Sequence, residues 1–349
     1  MKDSLKFATW PAIAGLLAAL LILDRWVLPK ETADVSQGLS SYATAVRQAS
    51  PSVVNIYTAK RVLERNPNWR LPNRLQLGPS ASFRERIERS LGSGVIMSAA
   101  GHILTNHHVI AGADAIQVLL HDGRSANAVV VGSDTATDLA VLKVDLPNLD
   151  PMELGDSNAL SVGDVVLAIG NPLGFGHTVT QGIVSALGRW GLSPNAMYED
   201  YIQTDATIHQ GNSGGALIDT HGRLLGINTL IYTGNGQGAA TSTGIGISLA
   251  IPVDLAVFVM RDLLDYGEVI RGWLGVSVDP VRSTDAGDEQ QALLVVAVGQ
   301  DSPAQRAGIM QGDIITHING QQVVNGRLTM HEIARLRPGD TIAISLLRG

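Results

Sequence analysis

The sequence predicts a mainly β fold, barrels or sandwiches of short strands, with one membrane helix before it and a small α+β module after it. Three observations lead there. Ten short apolar or alternating runs lie between Ser52 and Ile251, each bounded by Gly, Asp, Asn or Pro and with little helical periodicity. The 38 glycines against 4 phenylalanines call for many turns and small-residue packing, which suits short strands. Ahead of all this, 17 uncharged residues run from Phe7 to Leu23.

That first run would make a helix of about 25 Å at roughly 1.5 Å per residue, near the lower limit for crossing a bilayer. Lys2 and Lys6 precede it and Trp26 follows, which places 1–6 in the cytoplasm and an interfacial ring at the far end. No small-x-small cleavage site directly follows LLAALLIL, so 7–28 reads as an uncleaved transmembrane anchor and not a signal peptide. Residues 29–40 (PKETADVSQGLS) are polar and form a linker. The strand-rich part spans 41–255, with runs such as SVVNIYT, SGVIM, HILTN, LAVLKV, VVLAIG and GIGISLAI. Residues 60–90 interrupt it with 8 of the 25 Lys and Arg residues, several prolines and no strand pattern, and are expected to be a mobile solvated insertion. PVDLAVFVMRDLLDYG (252–267) has a helix start at Pro252 and Asp254, apolar residues at helical spacing and a stop at Gly267. With this linking helix, 256–349 holds the strand-like RGWLGVSV, ALLVVAV, DIITHING and TIAISLL and the helix-like LTMHEIARLR.

Composition removes several functions. A net charge of −7 and the lack of any nucleic-acid motif argue against a nucleic-acid partner. Without cysteine there is no disulfide framework, thiol nucleophile or cysteine-ligated metal. His107–His108 lacks the i, i+4 spacing and adjacent glutamate of a helical zinc site, and GNGQG at 234–238 does not open a helix as a nucleotide-binding loop would. Neither a metal nor a cofactor is expected.

What remains is a hydroxyl nucleophile. It needs a base, a group to orient that base, and donors for the developing oxyanion. Ser213 sits in GNSGGAL (211–217), a glycine-rich turn between strands; His107 and His108 end the run HILTNHH; Asp138 directly precedes LAVLKV. Singly, each has an ordinary structural reading: a loop serine, a strand-end histidine, a turn aspartate. Together they follow the order His, Asp, Ser at spacings of 30 and 75 residues, which puts them on separate loops of a β scaffold.

TNHHVI, TDLAVLKV, AIGNPLG, TVTQGIVSA, QTDATIHQGNSGGAL and GIGISLAIP resemble the successive signatures of the HtrA (Deg) serine proteases. RGWLGV, DSPAQRAGIMQGDIITHINGQQV and LRPGDTI are similar to the PDZ domain that follows the protease in that family. The resemblance implies a chymotrypsin-like double β-barrel before the PDZ domain, and one PDZ domain behind an anchor is most similar to the DegS/AlgW branch. By motif it makes His108 the base, Asp138 its orienting acid and Ser213 the nucleophile, with Gly211, Asn212 and Ser213 forming the oxyanion hole. Ile208 and Leu230 match the S1 wall and imply a small apolar P1 residue such as Val or Ala. Trp273, Leu274, Gly275 and Val276 match the loop that holds a peptide carboxylate, faced by a helix carrying Met330, Ile333 and Ala334. Arg189 matches a position that relays peptide contacts to the active site. The implied partners are two further copies in a homotrimer, C-terminal peptides of misfolded outer-membrane proteins, and a membrane-bound anti-sigma factor as substrate at the inner membrane. A general quality-control protease and a peptide-binding scaffold with an idle triad are the alternatives. The chain departs from the pattern in a slightly long loop after Arg189, in IHQ before GNSGG, and in stopping at AISLLRG, where one more strand is expected.

Overall fold

A computed structural model describes residues 41–65, 83–171, 176–189, 198–209, 211–231, 247–283, 290–323 and 326–349, together with Leu16. The expected anchor and linker otherwise lie outside the described residues, among which no helix is long and apolar enough to cross a membrane. Ala43–Gly349 form one compact unit, to which all that follows applies.

The first layer is a seven-stranded antiparallel sheet. Its strands are β1 (Val53–Arg65), β2 (Phe83–Ile96), β3 (His102–Asn106), β4 (Ala115–Leu119), β5 (Ser125–Asn127), β6 (Val129–Asp134) and β7 (Leu139–Lys143), in the order β5-β4-β1-β2-β3-β7-β6. Ile56, Ile103, Val118 and Leu142 meet in its core. β7 reads LAVLK with four successive buried residues, because it lies between β3 and β6 and is covered on both faces. The second layer is a closed barrel of β8 (Val165–Gly170), β9 (Thr178–Arg189), β10 (Tyr201–Thr204), β11 (Ala216–Ile218), β12 (Leu224–Ile231) and β13 (Ser248–Pro252). Val166, Ala168, Val184, Ile202, Leu217 and Ala250 fill it.

The stretch 60–90 departs from expectation. Residues 60–65 and 83–90 are not a structureless insertion; they prolong β1 and β2 as a two-stranded ribbon with unbroken register from Ala59↔Arg89 to Arg65↔Phe83. Lys60 and Glu88 are cross-strand partners of opposite charge, and such pairs are favourable. Solvent lies on both faces, with Leu63 and Ile87 well exposed, so no apolar alternation marks these strands in the sequence. Residues 66–82 of the expected insertion lie outside the described residues.

The linking helix runs Val253–Tyr266 and stops at Gly267, in the left-handed region with its N–H on the Leu263 carbonyl. Val253, Leu255, Ala256, Val259 and Leu263 give it a buried face at helical spacing. Asp254 does not cap its own helix; its carboxylate accepts from the Ser157 N–H and hydroxyl and so fastens the helix start to the barrel.

Beyond it, β14 (Val276–Ser283), β15 (Gln290–Val298), β16 (Ile314–Ile318), β17 (Gln321–Gln322) and β18 (Ile344–Leu347) form a five-stranded sheet in the order β14-β15-β16-β17, with β18 also on β16. A helix at Gly326–Arg335 accompanies it, and β14 is an edge strand. Two ion pairs tie this module to the rest. Arg271 grips Asp134 at the end of β6 with both terminal nitrogens (3.1 and 2.5 Å), and Arg337 grips Asp262 of the linking helix in the same two-pronged way.

Candidate active site

β3 ends at Asn106, and His107–Ile110 make a single helical turn against the loop before β7. The Asp138 carbonyl accepts from the His107 N–H (3.0 Å) and from Asn106 Nδ2 (3.1 Å). Asp138 itself has φ 59, a left-handed conformation that costs a non-glycine residue about 1 kcal/mol or more. That twist presents its carboxylate to His108 twice: Oδ1 accepts the His108 N–H at 3.0 Å and Oδ2 lies 2.7 Å from Nδ1. A carboxylate only accepts, so the imidazole proton sits on Nδ1 and Nε2 is left as a base on a side chain 45% exposed.

Ser213 is joined to this pair through Thr229 of β12. The Ser213 hydroxyl donates to the Thr229 carbonyl (2.8 Å), and Thr229 Oγ1 donates to Asp138 Oδ2 (3.0 Å). Sequence reasoning missed Thr229; its signal was Asn228 and Thr229, two polar residues inside the apolar strand LLGINTLI, both buried. At the nucleophile turn the Asn212 N–H closes on the His209 carbonyl (2.9 Å). Gly211, third in that turn, has φ 96, the sign that a type II turn requires and that glycine supplies without strain. The Gly211 and Ser213 N–H groups have no partner among the described residues, while Gly214 N–H and Gly215 N–H are spent on the Asn228 and Asn212 carbonyls. Backbone donors are thus free on either side of Asn212, whose own N–H is used inside the turn.

Residues 92–227 match the family model of a trypsin-like peptidase domain, and residues 272–349 that of a PDZ domain. Over 314 residues the chain is 42% identical to the serine endoprotease DegS of Escherichia coli K12, covering 88% of this chain and 82% of DegS. The chain belongs to the HtrA-type serine endoproteases. The HtrA-type protease AlgW solved with a tripeptide shares 47% identity and superposes with a TM-score of 0.71, over 88% of this chain and 93% of AlgW. A probable periplasmic DegP-like serine endoprotease of Halomonas elongata is 39% identical over 354 residues, 95% of this chain and 73% of that protein. The relatives named for a compartment are thus periplasmic endoproteases.

In this HtrA-type protease Ile208 lies buried among the barrel core residues, with its N–H on Ser248 Oγ (3.2 Å). Leu230 lies in β12, but its side chain is outside the described residues. In the PDZ domain Trp273 is 64% exposed and is therefore not a core aromatic, whereas Leu274 next to it is buried. Gly275 has φ 81, and a Cβ there would come within 2.3 Å of Ser302 Cβ, so the loop entering β14 at Val276 closes against the segment around Ser302. Met330 is exposed and Ala334 buried on the helix that accompanies the edge strand. A cavity of about 370 Å³ opens beside this loop, lined by Arg271, Trp273, Leu274, Ile333, Leu336 and Arg337 among others. Arg189 ends β9 with its Nε on Gln203 Oε1 (2.8 Å); residues 190–197 beyond it lie outside the described residues.

A run of contacts leads from that cavity to the triad. Arg271, on its wall, binds Asp134 and stacks 4.4 Å above the Tyr198 ring; Asp134 also accepts from the Thr137 N–H and hydroxyl; Thr137 precedes Asp138. No grouping of His, Asp and Glu suited to a metal occurs among the described residues.

Proposed function

We propose that this protease is a membrane-anchored, trimeric periplasmic endopeptidase that senses envelope stress. C-terminal peptides of misfolded outer-membrane proteins bind its PDZ domain, and it then cuts the periplasmic part of a membrane-bound anti-sigma factor. The observation that carries the catalytic part is the connected set Ser213–Thr229–Asp138–His108 beside two backbone N–H groups without a partner among the described residues.

In the proposed reaction the Ser213 hydroxyl leaves the Thr229 carbonyl and turns to His108 Nε2. His108 takes its proton as Oγ attacks the scissile carbonyl, and Asp138 holds the imidazolium that forms. The oxyanion takes hydrogen bonds from the Gly211 and Ser213 N–H groups, each such donor being worth about 100- to 1,000-fold in turnover. His108 then returns the proton to the leaving amine, and water repeats the sequence on the acyl-enzyme. Ile208 and Leu230 favour a small apolar P1 residue, and Arg189 takes part in relaying the peptide signal.

Activation is supported by the free edge of β14, beside the Trp273–Val276 loop, to which a peptide can add as a strand with its carboxylate on backbone N–H groups. It is supported too by the AlgW relative having been solved with a peptide, and by the path through Arg271 to Thr137. The test is cleavage of an unfolded reporter and of an anti-sigma periplasmic domain, with and without a peptide ending in aromatic residues. Ser213→Ala should be inert and native cleavage should rise with peptide. Residual cleavage by Ser213→Ala defeats the mechanism; peptide-independent digestion of the reporter instead favours a general quality-control protease.

A further inference from the structure

Ser93 lies in β2, in the first sheet, yet most of its hydrogen-bonding capacity is spent on the second barrel. It is fully buried. Its N–H donates to the Ser213 carbonyl (2.8 Å), its hydroxyl donates to the Gly211 carbonyl (2.7 Å), and that hydroxyl oxygen accepts the N–H of Asn171 at the end of β8 (3.0 Å). Its carbonyl accepts from Thr105 Oγ1 (2.7 Å), which fixes Ser93 from behind.

These bonds fall on the two peptide planes that flank Asn212–Ser213. The plane joining Gly211 to Asn212 is held at its oxygen by Ser93 and at its N–H by His209. The plane joining Ser213 to Gly214 is held at its oxygen by Ser93 and at its N–H by Asn228. Between them, the Asn212 carbonyl takes the Gly215 N–H. Three consecutive planes are thereby fixed, and the N–H left over at Ser213 is aimed by the bonds that hold its neighbours. Only a side chain that donates and accepts through one atom can bridge Gly211 and Asn171 at this spot, and hydroxyl is the small group that does so.

We propose that the Ser93 hydroxyl is a positioning residue for the oxyanion hole: it fixes the peptide planes on either side of Asn212 and Ser213 and so aims the Ser213 N–H group, without touching substrate. This rests on the protease reading above and adds to it a dependence on a residue outside the triad and its turn.

The test uses the full chain with Ser93→Ala, Ser93→Thr and, as a control, Ser157→Ala, which removes a buried hydroxyl bond at the start of the linking helix. Ser93→Ala should lower kcat about 10- to 100-fold, below the cost of deleting an oxyanion donor outright, with KM within about twofold. A peptide boronate, which mimics the tetrahedral intermediate, should lose affinity by the same factor. Ser93→Thr, which keeps the hydroxyl, should stay within about threefold of native, and Ser157→Ala should keep native kcat. If Ser93→Ala fails to fold, Ser93→Cys, a weak donor, takes its place under the same readings. Unchanged kcat, unchanged boronate affinity, or equal losses in the alanine and threonine variants overturns the assignment. Ser213→Ala is run in parallel: should it still cleave, the protease reading falls, whereas native activity in Ser93→Ala beside an inert Ser213→Ala removes the Ser93 role alone.

Discussion

The Arg337–Asp262 pair joins a buried partner to a half-exposed one, and this predicts an asymmetric response to mutation. The Asp262 side chain is 1% exposed and that of Arg337 38%, and the guanidinium also reaches the Ile270 carbonyl at 3.0 Å. Arg337→Ala leaves the carboxylate buried with only the Ile270 N–H (3.0 Å) as a partner. Removing one member of a buried pair costs about 3–5 kcal/mol, and the exposed half of Arg337 puts this case near 3. Asp262→Asn keeps the shape and frees a guanidinium that water can solvate, a loss of about 1 kcal/mol. With a urea slope of about 2 kcal/mol/M, the resulting gap of roughly 2 kcal/mol separates the two midpoints by about 1 M. Urea titration at pH 7 followed by fluorescence of Trp273, which lines the same cavity as Arg337, measures it. An acid titration adds a sign. In the native chain the Arg337 hydrogen bonds hold the Asp262 carboxyl below its usual range. Once Arg337 is gone, the largest cause of that lowering goes with it, so less of the variant's stability is lost to acid through this carboxyl. The native form loses the contribution of its paired carboxylate as pH falls from about 4 through its lowered folded value, so the gap between the two should narrow there. Equal midpoints at pH 7, or Asp262→Asn as the weaker of the two, would refute the reasoning.

Thr229→Val deletes the hydroxyl on Asp138 but keeps the backbone carbonyl beneath Ser213, so kcat should fall about tenfold with KM little changed, a modest share of what general-base catalysis supplies; steady-state kinetics on a peptide substrate checks it. Burial, with His121 adding to it, holds the His177 imidazole below its usual range, while its Nε2 reaches the Val53 carbonyl at 2.9 Å. The unfolded chain takes up that proton near pH 6.5 and the folded one later, so stability falls as pH drops from about 6.5, and His177→Gln should show a smaller loss between pH 6.5 and 5 in thermal melts. Asp313 is held down to about 2, first by the Arg348 hydrogen bonds. Its contribution is complete above about pH 4 and is lost as pH falls toward 2, and Asp313→Asn should flatten that part of the acid unfolding curve.

The strand-rich β domain and the linking helix were legible because they rest on local patterns, short apolar runs between turn residues and a helical stripe closed by Gly267; the division into two β units came from family likeness. The ribbon of β1 and β2 was not, since a strand wet on both faces has no reason to alternate. The nearness of His108, Asp138 and Ser213 followed from order and family likeness, not from any periodicity. The groups that tie them together left fainter marks. Thr229 is one of two polar residues in an apolar strand, and Ser93 stands between glycines that look like ordinary turn or packing positions. Arg271 meets Asp134 across 137 positions of sequence and Arg337 meets Asp262 across 75, separations at which no propensity or spacing rule operates.

The hydroxyl of Ser213 rests on the carbonyl of Thr229, and in the proposed reaction it must turn to the imidazole. Side-chain rotamers exchange in picoseconds to nanoseconds, so no kinetic lock keeps an enzyme built this way idle. Any control acting through this hydroxyl is a matter of populations. Where two hydrogen bonds of similar worth compete for one proton, about 1.4 kcal/mol of bias changes the reactive fraction tenfold, within the usual range of coupling between distant sites. Under the proposed activation, a modest push at the far end of the molecule is enough to raise that fraction, and its withdrawal is enough to lower it.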